Sequence, residues 1–164
     1  MLSQELSRSD SNQYAGPGHG ALFRSVSRMQ KGILEMYISV VSLFVNDVDR
    51  AVDFYTQKLG WEKTMDVPMG DDARWVTIAP PGEKTMFTLS KGGPMWSPEK
   101  VGGFSGVIIE VDDVFKTCDQ LKNAGVEFEE EARNEPWGGW AMFKDTEGNV
   151  HGFHSPAPAH VSSN

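Results

Sequence analysis

Residues 37–60 read YISVVSLFVNDVDRAVDFYTQKLG and predict a strand, a short acidic turn and an amphipathic helix. Their first nine residues are rich in β-branched and aromatic side chains, which favour a strand buried on at least one face. Asn46 or Asp47 can cap the helix by accepting from its free N–H groups, and Gly60 is a suitable stop. The apolar residues of the helix recur in one stripe, formed by Val48, Ala51, Val52, Tyr55 and Leu59.

A degraded copy of this stretch begins 66 residues later, where residues 104–125 read FSGVIIEVDDVFKTCDQLKNAG. Val107 then matches Val41, and Asp113 matches Asp47. Three strand-like runs separated by turn signals follow each copy: residues 62–68, 74–79 and 85–90, and residues 126–132, 137–144 and 150–154. The sequence therefore predicts an α+β fold of two tandem βαβββ units made by duplication, with a functional site between the units.

The composition divides the chain into a tail and one domain. Residues 1–36 are rich in Ser, Gly, Gln and Asn and are predicted to form a disordered N-terminal tail. The domain is expected to span residues 37–155, with the first unit at 37–90, a Gly- and Pro-rich linker at 91–103 and the second unit at 104–155. Residues 156–164 are expected to be a frayed C-terminus. Met36 directly precedes the first strand, which suggests that translation starts there.

Charge and composition exclude several classes of function. The net charge is −8, and residues 37–164 carry eleven Lys and Arg against twenty Asp and Glu, so nucleic-acid binding is not expected. No apolar run approaches the ~20 residues that cross a bilayer, and no secretory leader is expected, so no membrane partner is predicted. The single cysteine, Cys118, excludes an internal disulfide and is consistent with a cytoplasmic location.

Four motifs carry a resemblance to a known family. They are VNDVDRAVDFYTQKLGW at residues 45–61, ARWVTIAPPGE at 73–83, FSGVIIEVDDV at 104–114 and PWGGWAMFKDTEGNVHGF at 136–153. In this order and spacing the chain resembles the vicinal oxygen chelate superfamily, which contains glyoxalases, bleomycin resistance proteins and extradiol dioxygenases. The resemblance implies that each unit is a curled half-sheet and that the two form a cup-shaped half-barrel. It also implies a homodimer, since a second chain commonly completes the cup.

The resemblance places four metal-ligand positions on residues that bind metals poorly. Enzymes of the family hold a divalent ion with one His or Glu from the first and last strand of each unit. Those positions fall on Val40 and Thr88 in the first unit and on Gly106 and Gly152 in the second. Divalent ions need three or four imidazole or carboxylate donors. No cofactor is therefore predicted, and a metal remains open only through an atypical site.

Other residues are weaker candidates for metal binding. Strand alternation puts Glu110 on the face of Gly106, His154 on the face of Gly152, and His151 on the opposite face. Glu110 lies ~13 Å along its strand from Gly106, so convergence on one site is not expected. Both histidines are expected at the surface or lining a pocket. Cys118 lies on the inward stripe of the second helix and is expected to pack rather than react.

The expected ligand-binding residues are aromatic or polar side chains that flank the cup: Trp75, Thr88, Trp137, Trp140 and His154. Tryptophan offers a large apolar face and stacks on planar or cationic molecules, although a single Trp can equally belong to a core or a dimer interface. The favoured function is metal-independent binding of a small aromatic or cationic molecule. The first alternative is an enzyme, either a lyase like lactoylglutathione lyase or a dioxygenase-like enzyme, that acts on a small carbonyl or aromatic substrate. The second alternative is a structural dimer with a vestigial cup.

Overall fold

The computed structural model describes residues 36–70 and 73–157. The predicted tail, apart from Met36, and residues 158–164 of the predicted C-terminal end lie outside the described residues. The first unit consists of β1 (Val40–Phe44), α1 (Val48–Gln57), β2 (Glu62–Pro68), β3 (Arg74–Ala79) and β4 (Met86–Ser90). A 3-10 turn at Pro98–Lys100 precedes the second unit, which consists of β5 (Gly103–Glu110), α2 (Val114–Asn123), β6 (Glu127–Glu135), β7 (Gly138–Lys144) and β8 (Asn149–Pro156).

Each unit forms one open four-stranded sheet. The strand orders are β1-β4-β3-β2 and β5-β8-β7-β6, and the first pair in each order is parallel whereas the others are antiparallel. The two sheets therefore have the same topology, and the predicted α+β fold of two βαβββ units is confirmed. The element bounds differ from the prediction by a few residues, and Trp137 lies in the turn between β6 and β7 rather than in a strand.

Matching aspartates begin the two helices. Asp47, rather than Asn46, is the N-cap of α1, and its Oδ1 accepts from the backbone N–H of Arg50 at 3.0 Å. Asp113 caps α2 in the same way, through the backbone N–H of Lys116 at 3.0 Å. These bonds satisfy backbone donors that the first turn of a helix leaves without an intrahelical partner.

The helix-bearing faces of both sheets contribute to one hydrophobic core. Phe54 of α1 stacks on Phe143 of β7, with ring centroids 6.4 Å apart, so the helix of the first unit contacts the sheet of the second. Tyr55 lies between Trp61 and His151, at centroid distances of 5.2 and 6.0 Å. Because alternate residues of a strand point to opposite faces, the other face of each sheet is turned away from this core.

We call these outward surfaces the first and the second open face. The first open face carries Val40, Ser42, Trp75, Thr77 and Thr88, as the pairing of β1, β3 and β4 shows. The second open face carries Ile108, Glu110, Trp140, Met142, Gly152 and His154, as the pairing of β5, β7 and β8 shows. Among the described residues, no helix is long and apolar enough to cross a membrane.

Cys118 is expected to be inert toward thiol reagents in the native protein. Its side chain is buried in the core, as predicted, and burial raises the pKa of its thiol to about 11, so little reactive thiolate exists near neutral pH. The measurement is the rate of modification by a chromogenic disulfide in native and in urea-unfolded protein. Since the chain has one cysteine, the signal has a single source. Comparable rates in the two states would contradict the assignment.

Candidate functional site

Trp140 covers the centre of the second open face. A Cβ atom built on Gly152 would lie 2.7 Å from the Cη2 atom of Trp140, so the indole occupies the space that a side chain at position 152 would need. The indole Nε1 donates a hydrogen bond to the Glu130 carboxylate at 3.1 Å. The ring of Trp137 meets Trp140 edge-on, with centroids 5.3 Å apart. Two indoles in this arrangement present a ring face and an edge to the same space.

His154 and Glu110 form a pair beside these tryptophans. Nδ1 of His154 lies 2.5 Å from a carboxylate oxygen of Glu110, and Nε2 lies 3.3 Å from the backbone carbonyl oxygen of Trp137. Both ring nitrogens thus face acceptors, which only the protonated imidazolium satisfies. The hydrogen bond to Glu110 accordingly raises the pKa of His154. The contact between Glu110 and His154 was not predicted from the sequence, and it forms because parallel pairing of β5 and β8 sets the two residues side by side.

The β5 strand contains an irregularity that the sequence did not reveal. Phe104 pairs with Val150, yet the next pair is Ile108 with Gly152, so β5 uses two more residues than β8 over this interval. Gly106 lies inside this bulge with a φ of +75°, a conformation that favours glycine. Ile108, rather than Gly106, therefore lies opposite Gly152.

The first open face holds the other two predicted binding residues. Trp75 of β3 pairs with Val67 of β2, and its side chain is partly exposed. Thr88 of β4 pairs with Ser42 of β1 and with Thr77 of β3, and it is buried. One chain therefore brings Trp137, Trp140 and His154 together on the second sheet, whereas Trp75 and Thr88 lie on the first.

A sequence model of the Glyoxalase/Bleomycin resistance protein/Dioxygenase superfamily matches residues 37–153. The chain belongs to this superfamily. The predicted resemblance is thereby confirmed, and it covers both βαβββ units. A relative from Bacillus subtilis (strain 168), the uncharacterized protein YetH, is 34% identical over 113 residues, which are 69% of this chain and 92% of YetH.

Solved structures of the superfamily share the fold. TnmS3, an antibiotic binding protein from Streptomyces sp. CB03234, is 33% identical with a TM-score of 0.66, and the match covers 76% of this chain and 99% of TnmS3. A superfamily member from Sphaerobacter thermophilus DSM 20745 is 30% identical with a TM-score of 0.66, covering 75% of this chain and 99% of that one.

The residues at the superfamily's four metal positions do not fit a divalent ion. Val40 is aliphatic, Thr88 is a buried hydroxyl, and Gly106 and Gly152 have no side-chain donor. The indole of Trp140 also fills the space beside Gly152. Within residues 36–70 and 73–157, no group of three or more His, Cys, Asp and Glu side chains is placed to hold a metal. This donor set cannot supply the three or four ligands that such ions require.

A buried polar network joins the two units behind the second open face. The Tyr55 hydroxyl donates to Asp145 Oδ2 at 2.8 Å and lies 2.7 Å from His151 Nε2. Asp145 also accepts from the side-chain amide of Asn149 and from the backbone N–H groups of Asn149 and Glu147, each at 2.8 Å. The expectation that His151 lies at the surface or in a pocket was wrong, because the alternation that turns it from the open face places it in the shared core.

Burial and hydrogen bonding set the charges in this network. Burial raises the pKa of the Tyr55 phenol well above its usual range, and the nearby Asp145 carboxylate adds to the effect, so the phenol stays neutral. Burial alone would raise the pKa of Asp145, but the interactions with His151, Asn149 and Tyr55 outweigh it and the pKa is lowered. Asp145 is therefore an ionised carboxylate inside the fold.

Replacing Glu110 with glutamine is expected to lower the pKa of His154 toward its ordinary value, because the hydrogen bond to the carboxylate is the main cause of the raised pKa. A raised histidine pKa contributes stability that is present below the unfolded pKa and lost as the pH rises through the folded one. The melting temperatures of the two proteins should therefore differ most between about pH 5 and about pH 6 and converge in alkali.

NMR titration of the His154 ring measures this change directly. Glu131→Gln is the control, because Glu131 pairs with Lys122 and has no hydrogen bond to His154. A His154 pKa that is the same in wild type and Glu110→Gln would show that the pair does not form in solution.

Proposed function

We propose that this protein binds a small planar aromatic or cationic molecule on the second open face without using a metal ion. The observation that carries the proposal is the indole of Trp140 in the space beside Gly152, where the superfamily's enzymes place a ligand to the metal. An aromatic ring stacks on a flat molecule and gains from its apolar area. The position thus suits a planar organic ligand better than an ion.

The charges around the tryptophans favour a positive ligand. The carboxylate of Glu110 is partly exposed, and Glu130 contacts the edge of the Trp140 indole. The net charge of −8 adds a long-range attraction for cations. A cation over the face of an indole gains about 0.5–2 kcal/mol, depending on how far it is removed from water. His154 pairs with Glu110, and Arg133 pairs with Glu130 and Glu135, so this cluster has three carboxylates against two cations.

A second copy of the chain is proposed to complete the site. Among the described residues β1 pairs only with β4 and β5 only with β8, so each sheet has a strand edge free for pairing. Large apolar side chains are exposed on both open faces: Met65, Val67 and Trp75 on the first, and Ile108 on the second. Trp137, in the turn before β7, is exposed as well. Apposing the first open face of one copy to the second open face of the other would cover them and add Trp75 and Thr88 to the site.

Light scattering tests this assembly. At micromolar concentration the expected mass is twice the 18.1 kDa of one chain. Ile108→Lys, which places a charge on the second open face without touching the core, should shift the mass toward that of one chain. A single-chain mass for the wild type would contradict the dimer.

The relationship to TnmS3 supports a binding function. That protein is an antibiotic binding protein, and it shares 33% of its residues with this chain over almost its whole length. A similar role here, in which a planar drug-like molecule is held without chemical change, agrees with the unsuitable metal positions. The nature of the ligand rests on the chemistry of the open face.

Three probes with related flat ring systems and different charge test the proposal. They are 9-aminoacridine, a cation at neutral pH, acridine, its neutral parent, and anthraquinone-2-sulfonate, an anion. Quenching of tryptophan fluorescence and calorimetry measure the affinities. The expected order is cation, neutral molecule, anion, and Trp140→Ala should weaken the binding of 9-aminoacridine by about tenfold or more, since a stacked ring is worth roughly 1–3 kcal/mol.

The matched control is Trp96→Phe, which changes an indole of the segment between the units. The Nε1 of Trp96 donates to the Val45 carbonyl oxygen of the first unit, and neither residue belongs to the second open face, so affinity should be retained. Failure of all three probes to bind would overturn the proposal. Chemical conversion of a probe or of a small carbonyl compound, abolished by a chelator, would instead support an enzyme with an atypical metal site.

A further inference from the structure

The bulge of β5 is held by one hydroxyl group. The Oγ atom of Ser105 lies 2.8 Å from His151 Nδ1 and 2.9 Å from the carbonyl oxygen of Val150. The same atom accepts a hydrogen bond from the backbone N–H of Val107 at 3.1 Å. This bond spans Gly106 and so closes the irregular part of the strand. Ser105 thereby links the bulge to β8.

The contacts of Ser105 continue through His151 and Tyr55 to Asp145. Because the Tyr55 hydroxyl donates to Asp145, its oxygen accepts from Nε2–H of His151. The Ser105 hydroxyl donates to the carbonyl oxygen of Val150, and its oxygen contacts Nδ1 of His151 at the other side of the ring. Every polar side-chain atom in this chain of contacts has a partner, in agreement with the lack of unsatisfied buried side-chain atoms among the described residues. Such a network orients its members firmly.

The bulge decides which side chain of β5 meets His154. Phe104 pairs with Val150, so a regular parallel strand continuing from this pair would place Gly106 opposite Gly152 and Ile108 opposite His154. The two extra residues instead place Ile108 opposite Gly152 and Glu110 opposite His154. A carboxylate thus replaces an aliphatic side chain beside the imidazole.

We propose that Ser105 and His151 are positioning residues of the second open face: they hold the β5 bulge and thereby place Glu110, instead of Ile108, beside His154 and the two tryptophans. The consequence for ligand affinity rests on the proposed function, whereas the consequence for the Glu110–His154 pair does not. His151 lies on the core side of the sheet, away from the ligand space, and the Ser105 hydroxyl contacts it there.

The test uses two matched pairs of variants in the full chain. Ser105→Ala and His151→Leu remove the polar groups, while Ser105→Thr and His151→Gln keep a hydroxyl and an amide that can make the same contacts. The readouts are the ring nitrogen NMR signals of His154 at a fixed, mildly acidic pH, and hydrogen exchange at the Val107 amide. A third readout is the affinity for 9-aminoacridine.

In Ser105→Ala and His151→Leu we expect the His154 signals to move toward those of Glu110→Gln. Exchange at Val107 should accelerate, and the affinity for 9-aminoacridine should fall by about tenfold, the loss expected when a hydrogen bond to a charged group is misplaced. Ser105→Thr and His151→Gln should resemble the wild type. Val126→Ala, a core variant outside the bulge, should lose stability and leave the His154 signals unchanged.

Two outcomes separate this inference from the proposed function. Unchanged His154 signals in Ser105→Ala overturn the inference, even if the affinity falls. If 9-aminoacridine fails to bind the wild type, the proposed function fails. The NMR signals of His154 and the hydrogen exchange of Val107 still test whether Ser105 and His151 position Glu110. If His151→Leu does not fold, the result with Ser105→Ala decides the inference. Ser105 is only half-buried, so its replacement by alanine should leave the fold intact.

Discussion

Tyr55→Phe is expected to lower the free energy of unfolding by about 2 kcal/mol, because the change leaves buried polar groups without a partner. The lost hydroxyl donates to Asp145 and contacts His151 Nε2, and these two side chains belong to the second unit. Urea unfolding at neutral pH measures the loss. Tyr37→Phe is the control. Tyr37 is exposed, so the loss of its hydroxyl should hardly change the free energy of unfolding.

The pH dependence of this difference provides an independent check. Asp145 has a lowered pKa in the fold, so the stability that it contributes is present above its unfolded pKa and lost as the pH falls through the folded value. Tyr55→Phe removes one of the bonds that lower this pKa. The difference in unfolding free energy between variant and wild type should therefore be constant down to about pH 5 and should narrow as the pH falls below about 4. If the difference in unfolding free energy stays constant as the pH falls, the hydroxyl acts through packing and not through its bond to Asp145.

Gly152→Ala is expected to abolish most binding of 9-aminoacridine while leaving the fold intact. The new methyl group would lie 2.7 Å from the Trp140 indole, and since the indole is the end of a side chain on an open face, it can swing away from β8. The displaced ring loses its hydrogen bond to Glu130 and its place beside Trp137. We expect the affinity to fall by about tenfold or more.

The double variant Gly152→Ala/Trp140→Ala separates a displaced indole from other causes. If the methyl group acts by moving Trp140, the second change should add little to the first, since effects that share one mechanism are not additive. Ser42→Ala, on the exposed edge strand of the first open face, is the control for a small change elsewhere. Full additivity of the two losses would contradict the account given for Gly152.

The order of elements could be predicted because it depends on local patterns. The apolar stripe around Tyr55 and the acidic turn before the helix are properties of neighbouring residues, and the second copy repeats the same local pattern. Both patterns correspond to elements of the structure. Strand ends were less predictable. Trp137, predicted to begin a strand, lies in a turn, because β6 extends to Glu135 and β7 begins at Gly138.

The candidate site could be predicted only in part. Trp137, Trp140 and His154 were expected at one site, and the structure brings them together. Glu110 was not expected beside them, because the prediction considered only the distance from Glu110 to Gly106 along β5. The distance from Glu110 across to β8 is the one that brings it to His154. The sequence did indicate that β5 and β8 contain Glu110 and His154. It could not show that these two residues face each other, because that pairing depends on the length of the bulge.

Periodicity and residue type were enough to predict the duplicated βαβββ fold and the lack of suitable donors at Val40, Gly106 and Gly152, because both are properties of the residues themselves and of their near neighbours. The groups that replace those donors depend instead on how the strands pair. The indole beside Gly152 and the carboxylate beside His154 depend on strand register, which two residues of bulge can change. Register is set by contacts between residues far apart in the chain, such as Ser105 with His151 and Tyr55 with Asp145, and no local pattern specifies them.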